Sequence, residues 1–290
     1  MQVTGRIHSL EIPFKIAVAP GKTIDRTVFV FLVLGEKITL IDTGVSGSES
    51  RIFDYIRKIG RDPKEISTLI LSHSHPDHIG AARSIHEATG CEILAHKGEK
   101  EWIENTSRQF RERPVPGFDS LVQGPVHIDG FLADGETLSF QKDTTARVIH
   151  TPGHSRGSIS LLFGGEQKVV LTGDAVLLAN DLPMYDDISD SVDSLGKLAK
   201  LDKTEFMLSS FETMIQGHYR MMERIDESVC YFQRIHETVL EMDKKTGKND
   251  PIELCQQVVT ELKLPPYCVN PITARAFVSS LAHKNLIFKR

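Results

Sequence analysis

The hydrophobic pattern changes period along this chain. Seven apolar residues run unbroken from Val28 to Leu34, Gly35-Glu36 turns, and Lys37 to Ile41 returns, predicting a hairpin with at least one strand buried on both faces. Ile52, Phe53, Ile56 and Ile59 fall at helical spacing, so a helix is expected over Ser48 to Ile59 with Gly60 as its stop. Thr68 to Leu71 reads as a buried strand, Ile79 to Thr89 as a helix closed by Gly90, and Glu92 to Ala95 as a short strand. Periodicity fails from Lys97 to Gly124. Arg108, Arg111, Arg113, Pro114, Pro116 and Gly117 there predict a long loop, a lid or a plain surface excursion. Strands resume at Thr137 to Phe140, Ala146 to Ile149, Ser158 to Phe163 and Lys168 to Leu171, with Gly164-Gly165 as a tight turn. Ser191 to Leu201 reads as a helix and Thr213 to Gln216 as a last short strand.

After Met222 the period becomes 3.6. Ile225, Val229, Phe232, Ile235, Val239 and Met242 form one stripe, Lys244 to Asp250 is a polar break, and helices are expected over Ile252 to Leu262 and Thr273 to Leu281. The pattern divides the chain into residues 1–222 and a helical subdomain, residues 223–290. The ending, Ala276 to Phe288, reads as the last helix and strand of a small winged-helix-like unit. That tail holds ten Lys/Arg and nine Asp/Glu, a net of +1, which is not a basic stripe for gripping RNA. Packing or the formation of a homodimer is its simpler role.

Composition narrows the classes. The 290 residues carry a net charge of −5 and are 40% hydrophobic, as suits one large globular domain with an appendage. The acidic balance argues against a nucleic-acid partner, leaving only a local basic patch open. Cys91, Cys230, Cys255 and Cys268 form no CxxC pair, so reduced thiols are expected rather than a disulfide frame or a cysteine zinc site. No stretch is long and apolar enough for a membrane, and the N-terminus lacks the order of a signal peptide. A cytoplasmic enzyme acting on a small-molecule substrate is the expectation.

The chemistry concentrates after the strand at Leu71. His73-Ser-His75-Pro-Asp77-His78 packs three imidazoles and a carboxylate into six positions. Residues two apart on an extended segment share a face, so His73 and His75 can grip one ion, while Asp77 and His78 face a different point as a helix begins. Asp77 as a mere helix cap, or each histidine as a surface residue, is the plainer explanation of any one position, but not of all four together. His154, Asp174 and His218 each stand beside glycine just past an expected strand, where α/β sheets place ligands.

This ordered set, with Leu40-Ile-Asp-Thr-Gly44, resembles the signature of the metallo-β-lactamase superfamily, in a broad glyoxalase II- and lactonase-like branch, over roughly residues 1–222. The resemblance implies an α/β fold, a four-layer αβ/βα sandwich with a small C-terminal helical subdomain. It implies two divalent metal ions, zinc first, with manganese or iron as alternatives. One ion would bind His73, His75 and His154, the other Asp77, His78 and His218, with Asp174 bridging. Asp42 would orient ligands, and Asp77 and Asp174 would also relay a proton. The implied activity is a hydrolase that uses a metal-bridging hydroxide on a small ester, thioester or lactone. The alternatives are a phosphodiesterase or ribonuclease of the same fold, a mononuclear iron persulfide dioxygenase, and an idle binding scaffold. Tyr185 and Tyr219 are candidates for the substrate pocket, and packing is the competing explanation for each.

Overall fold

The computed structural model describes residues 1–19, 21–141, 144–165, 167–179, 181–247 and 250–288. Six strands, β1 (Ile7–Ala19), β2 (Lys22–Leu34), β3 (Ile38–Ile41), β4 (Ile66–Leu71), β5 (Glu92–His96) and β6 (Gly130–Leu132), make one sheet in chain order. Another six, β7 (Thr137–Gln141), β8 (Thr144–His150), β9 (Ile159–Phe163), β10 (Lys168–Gly173), β11 (Thr204–Ser209) and β12 (Ile215–Gln216), make the second. Strands β3 to β6 are parallel, as are β10 and β11, while the remaining neighbours are antiparallel.

Helices cover both outer faces. α1 (Ser48–Lys58), α2 (Pro76–Ile79), α3 (Ala82–Thr89), α4 (Lys100–Ile103), α5 (Thr106–Glu112) and α6 (Phe118–Leu121) accompany the first sheet. α7 (Ile188–Ala199), α8 (His218–Thr246), α9 (Pro251–Glu261) and α10 (Pro271–Ser279) accompany the second. The unbroken run in β2 shows why the layers form. Val28, Val30 and Leu32 pack outward with Ile52, Ile56 and Ile85, whereas Phe31 and Val33 pack inward with Val148, Leu161 and Leu171 of the facing sheet. A strand covered on both faces has no polar side to alternate. The four layers expected from the sequence are present.

Several features differ from the sequence-based expectation. β1 precedes the expected hairpin, its Leu10 and Ile12 joining the outer core of the first sheet. The expected loop over Lys97 to Gly124 contains α4, α5 and α6, of four to seven residues each, too short to show a helical period. β11 is formed by Thr204–Ser209, where Met207 packs outward and Phe206 and Leu208 inward. The expected strand at Thr213 to Gln216 shrinks to the two residues of β12.

α8 starts at His218 and continues as one 29-residue helix to Thr246, into the expected polar break; Lys248 and Asn249 of that break lie outside the described residues. Its buried Ile225, Phe232, Ile235 and Val239 share one apolar cluster with Val192 and Leu195 of α7 and with Val170 and Met207 of the sheet. No strand follows α10 among the described residues, so the winged-helix reading of the ending is corrected to a helix followed by irregular chain. Among the described residues no helix is long and apolar enough to cross a membrane. Cys91, Cys230, Cys255 and Cys268 are free thiols.

Candidate metal centre

Five strand ends converge at one edge of the sandwich. Asp42 follows β3, His73 follows β4, His154 follows β8, Asp174 follows β10, and β11 ends at Ser209. The sheets are stitched together there, because the Ile159 amide donates to the Ser72 carbonyl at 3.0 Å and the Phe29 amide to the Ser210 carbonyl at 2.8 Å. His73, His75, His154 and Asp174 each bring a ligand-capable atom to within 4.8 Å of the other three. His154 Nε2 stands 2.7 Å from His75 Nδ1 and 3.2 Å from Asp174 Oδ2. His78 Nε2 lies 3.4 Å from Asp174 Oδ1, on the other side of that carboxylate.

The surroundings settle which ring nitrogens are free. Asp42, at φ 61, accepts from the Ser72 amide at 2.8 Å, from the Ser72 hydroxyl at 2.7 Å and from His78 Nδ1 at 2.9 Å. Since the Ser72 hydroxyl donates to Asp42, it accepts from His73 Nδ1 at 3.0 Å. His154 Nδ1 donates to the Met184 carbonyl at 2.7 Å. A ring nitrogen that donates to an acceptor leaves the other nitrogen with its lone pair. His73, His78 and His154 therefore all present Nε2 toward Asp174.

Two buried side chains outside the expected set hold the ligand loops. The Glu99 carboxylate, 2% exposed, accepts from the Ser74 amide at 2.9 Å, the Ser74 hydroxyl, the Ser155 hydroxyl at 2.7 Å and the Gly157 amide. It thereby joins the His73–His78 loop to the His154 loop. Gln109 of α5 donates to the Ser74 carbonyl from above. Both sit in the segment read from sequence as a loop, and a lone Glu or Gln carries no motif to mark it. Gly153 lets the His154 loop pass α7 closely; it has φ 120, and a Cβ there would lie 2.2 Å from the Ser191 nitrogen.

Electrostatics prepare the centre for a cation. Burial lowers the His73 and His75 pKa well below the ordinary histidine value, so these rings are neutral. Burial favours a protonated Asp174, but His78, His154 and His73 outweigh it and hold the carboxyl well below the usual range. Burial pushes the Asp77 carboxyl up, against the pull of His78. His73 Nε2 and His75 Nε2 are buried without hydrogen-bond partners, and His78 Nε2 and Asp174 Oδ1 have only each other, at 3.4 Å. Such atoms are costly unless something satisfies them. Neutral imidazoles around a carboxylate are the donor set of zinc, iron or manganese, so the residues fit a divalent ion.

Three expected site residues lie elsewhere. His218 is exposed on the first turn of α8. β12 pairs Gln216 with Phe206, and the Gly217 amide donates to the Glu205 carbonyl at 2.7 Å, which places His218 at the beginning of β11. The cluster lies at the other end, roughly 13 Å away at about 3.3 Å per residue. The residues at that end are Ser209, Ser210 and Phe211, with the Phe211 ring edge-on to His78 at 6.3 Å. The expectation placed His218 in the centre because it took Thr213 to Gln216 for the strand that β11 forms. Tyr185 is 2% exposed and packs against Phe232 in the outer core at 5.3 Å, away from the cavity. Tyr219 is 74% exposed on α8.

A cavity of about 200 Å³ opens above the cluster, with His75, Asp77, His154 and Asp174 in its floor. Its walls are mostly apolar, from Phe14, Ile16 and Ile24 of the β1–β2 hairpin, Leu182, Phe211 and Ile272 of α10. Arg26 in the wall is held by both oxygens of Asp181, at 2.9 and 3.0 Å.

The comparisons agree with this architecture. The sequence model of the metallo-β-lactamase superfamily matches residues 23–208. A probable metallo-hydrolase of Bacillus subtilis is 29% identical over 195 residues, 65% of this chain and 82% of its own length. A hydroxyacylglutathione hydrolase of Hyphomonas neptunium is 32% identical over 48% of this chain, but the match spans only 45% of that protein. An acyl-coenzyme A thioesterase of Gallus gallus is 28% identical over 66% of this chain and 72% of its own. The crystal structure of a metallo-β-lactamase family protein from Thermus thermophilus aligns with a TM-score of 0.74 at 20% identity, over 97% of this chain and 94% of that one. A β-lactamase domain protein from Burkholderia ambifaria aligns with a TM-score of 0.71 at 18% identity, over 97% and 88%. At such identities the structures show a shared fold alone, helical tail included. Sequence match, sandwich and imidazole–carboxylate cluster agree, and the chain belongs to the metallo-β-lactamase superfamily as a metal-dependent hydrolase.

Proposed function

We propose that this protein hydrolyses a small ester, thioester or lactone with an apolar acyl part, using zinc. The observation that carries the reading is the cluster of buried, unpartnered imidazole nitrogens opening into an apolar cavity. His73, His75, His154 and Asp174 would hold one ion. Asp77 and His78, sharing Asp174, would hold a second without His218, so this position has fewer protein donors and is expected to bind more weakly. A divalent ion supplies a Lewis acid and an activated water at neutral pH.

The chain's own residues do the rest. Asp42, Ser72 and the Met184 carbonyl hold the imidazoles in their ligating tautomers. Asp77, half-buried in the cavity floor with a raised pKa, is placed to accept a proton and pass it to the leaving group. The apolar walls seat the acyl chain and exclude water. Two relatives carry names of hydroxyacylglutathione hydrolase and acyl-coenzyme A thioesterase, which favours acyl transfer to water over phosphodiester cleavage.

Elemental analysis combined with a screen of esters, thioesters, lactones and phosphodiesters tests this. At least one tightly held zinc per chain is expected, with turnover of an acyl substrate that chelation abolishes. Phosphodiester cleavage alone, or one iron per chain with oxygen uptake on a persulfide, would overturn it.

A further inference from the structure

Arg113, directly after α5, has no task in the metal centre as described. It is 1% exposed and lines the cavity beside His75, Asp77, His154 and Asp174. Its Nε and Nη1 are buried without a hydrogen-bond partner among the described residues. Nη2 reaches only the Met184 sulfur, at 3.6 Å, and a thioether is a weak acceptor. Met184 is also the residue whose carbonyl fixes the His154 ring, so the guanidinium is tied to a ligand-bearing part of the floor.

Among the described residues no acid forms an ion pair with it, and Asp77 and Asp174 in the cavity floor act on it less than Asp186 does. Asp186, the carboxylate whose field acts on it most, is engaged by Arg275 at 3.2 Å. Burial pulls the Arg113 pKa down to about 10, which leaves it cationic at neutral pH. A buried cation without a partner is unfavourable, and a structure that keeps one beside a cavity is matched to an anion that arrives there. Arg26, the other arginine in the wall, is already satisfied by Asp181. The cavity thus offers one open cationic group at its floor under apolar walls. That suits a single carboxylate, whose planar geometry an arginine matches. A phosphate would call for more donors than this floor provides.

We propose that Arg113 is a specificity-determining residue that binds a carboxylate on the substrate, so that the preferred ester or thioester carries an acid group close to its scissile carbonyl. Naming the substrate class rests on the hydrolase reading above, whereas the anion site itself does not. Arg113 positions the substrate and takes no part in bond breaking.

Two measurements on the zinc-loaded protein test it, each comparing wild type with Arg113→Met. The first is calorimetric binding of hexanoate, with 1-hexanol as the uncharged control. Wild type is expected to bind hexanoate at least about tenfold more tightly than Arg113→Met, as the loss of a charged hydrogen bond requires, with hexanol unchanged. Equal hexanoate affinity in the two proteins would mean that the anion sits on the metal alone, and would overturn the proposal. The second is turnover of two phenyl thioesters, of butanoic acid and of succinic acid as its half-thioester. Arg113→Met is expected to raise KM for the succinyl probe at least about tenfold while kcat and the butanoyl probe hold. An equal fall in kcat on both probes, with zinc retained, would place Arg113 at the reacting centre and also overturn it. If neither probe turns over but hexanoate binding still drops in the variant, the hydrolase reading fails and the anion site stands. Zinc content and melting temperature confirm folding; should Arg113→Met not fold, Arg113→Lys carries the same comparison with the expected losses smaller but present.

Discussion

At the scale of single residues, the centre is built from imidazoles whose outer nitrogen is already engaged. His78 gives its Nδ1 proton to Asp42, His154 to the Met184 carbonyl, and His73 to Ser72. Once the inner nitrogen is free of a proton, each has one lone pair and one direction to spend it in, which is what a ligand needs. The prediction concerns position as much as chemistry. His75→Ala and Asp174→Ala should each remove most of the bound metal and most turnover, since these residues supply atoms of the four-donor cluster. His218→Ala should leave metal content and turnover within about twofold, because a surface substitution away from a site has small effects. Metal analysis and kinetics on the three variants check this, and a His218→Ala protein that loses half its metal would show that α8 reaches the centre in solution.

At the scale of elements, the two ligand loops come from different sheets, and their relative placement needs a fastener. Glu99 provides it, with its carboxylate bonded to Ser74 on one loop and to Ser155 and Gly157 on the other. α5 adds Gln109 over the same loop and places Arg113 one turn on. Glu99→Gln keeps the volume but turns an all-acceptor group into one with an acceptor and a donor, so part of this network must break. Metal affinity or activity should fall about 10- to 100-fold while the melting temperature changes little, as for other residues that orient ligands. Competition against a calibrated chelator measures the affinity, and an unaltered value would reduce Glu99 to packing.

At the scale of the molecule, burial couples the centre to pH. In the metal-free protein burial opposes charge on His78, but Asp174 and Asp42 outweigh it and raise its pKa well above the usual value. A raised folded-state pKa stabilises the fold while the group is protonated. That contribution is complete below about 6.5 and is lost as pH climbs through the raised value. Asp174, held low, withdraws its own contribution only in acid, as pH falls below about 4. His73 and His75, held neutral by burial, cost stability only below about pH 6.5, so the metal-free protein should melt at a higher temperature near about pH 7 than near about pH 9. A bound metal needs His78 without its proton, so metal affinity should fall toward lower pH. Melting curves with and without chelator should diverge as pH rises; a gap that stays constant across this range would contradict the assignment of His78.

Much of this was legible in the chain itself. The unbroken apolar run at Val28 to Leu34 announced a strand covered on both faces, and β2 is one. The spacing from His73 to His78, with His154 and Asp174, brought metal-capable groups to strand ends because strand periodicity and turn glycines are local properties, written in neighbouring residues. What sequence could not decide was everything set by contact across the molecule. β11 is buried on both sides yet carries only three consecutive apolar residues, too few to mark it, so His218 was assigned to a strand end that belongs to Ser209. Glu99 and Arg113 look like any charged residue in a broken stretch. Their importance comes from being enclosed, one with four donors around it and the other with too few acceptors. Enclosure arises only when distant segments pack together, and for that reason the tertiary structure alone decided which polar side chains serve the site.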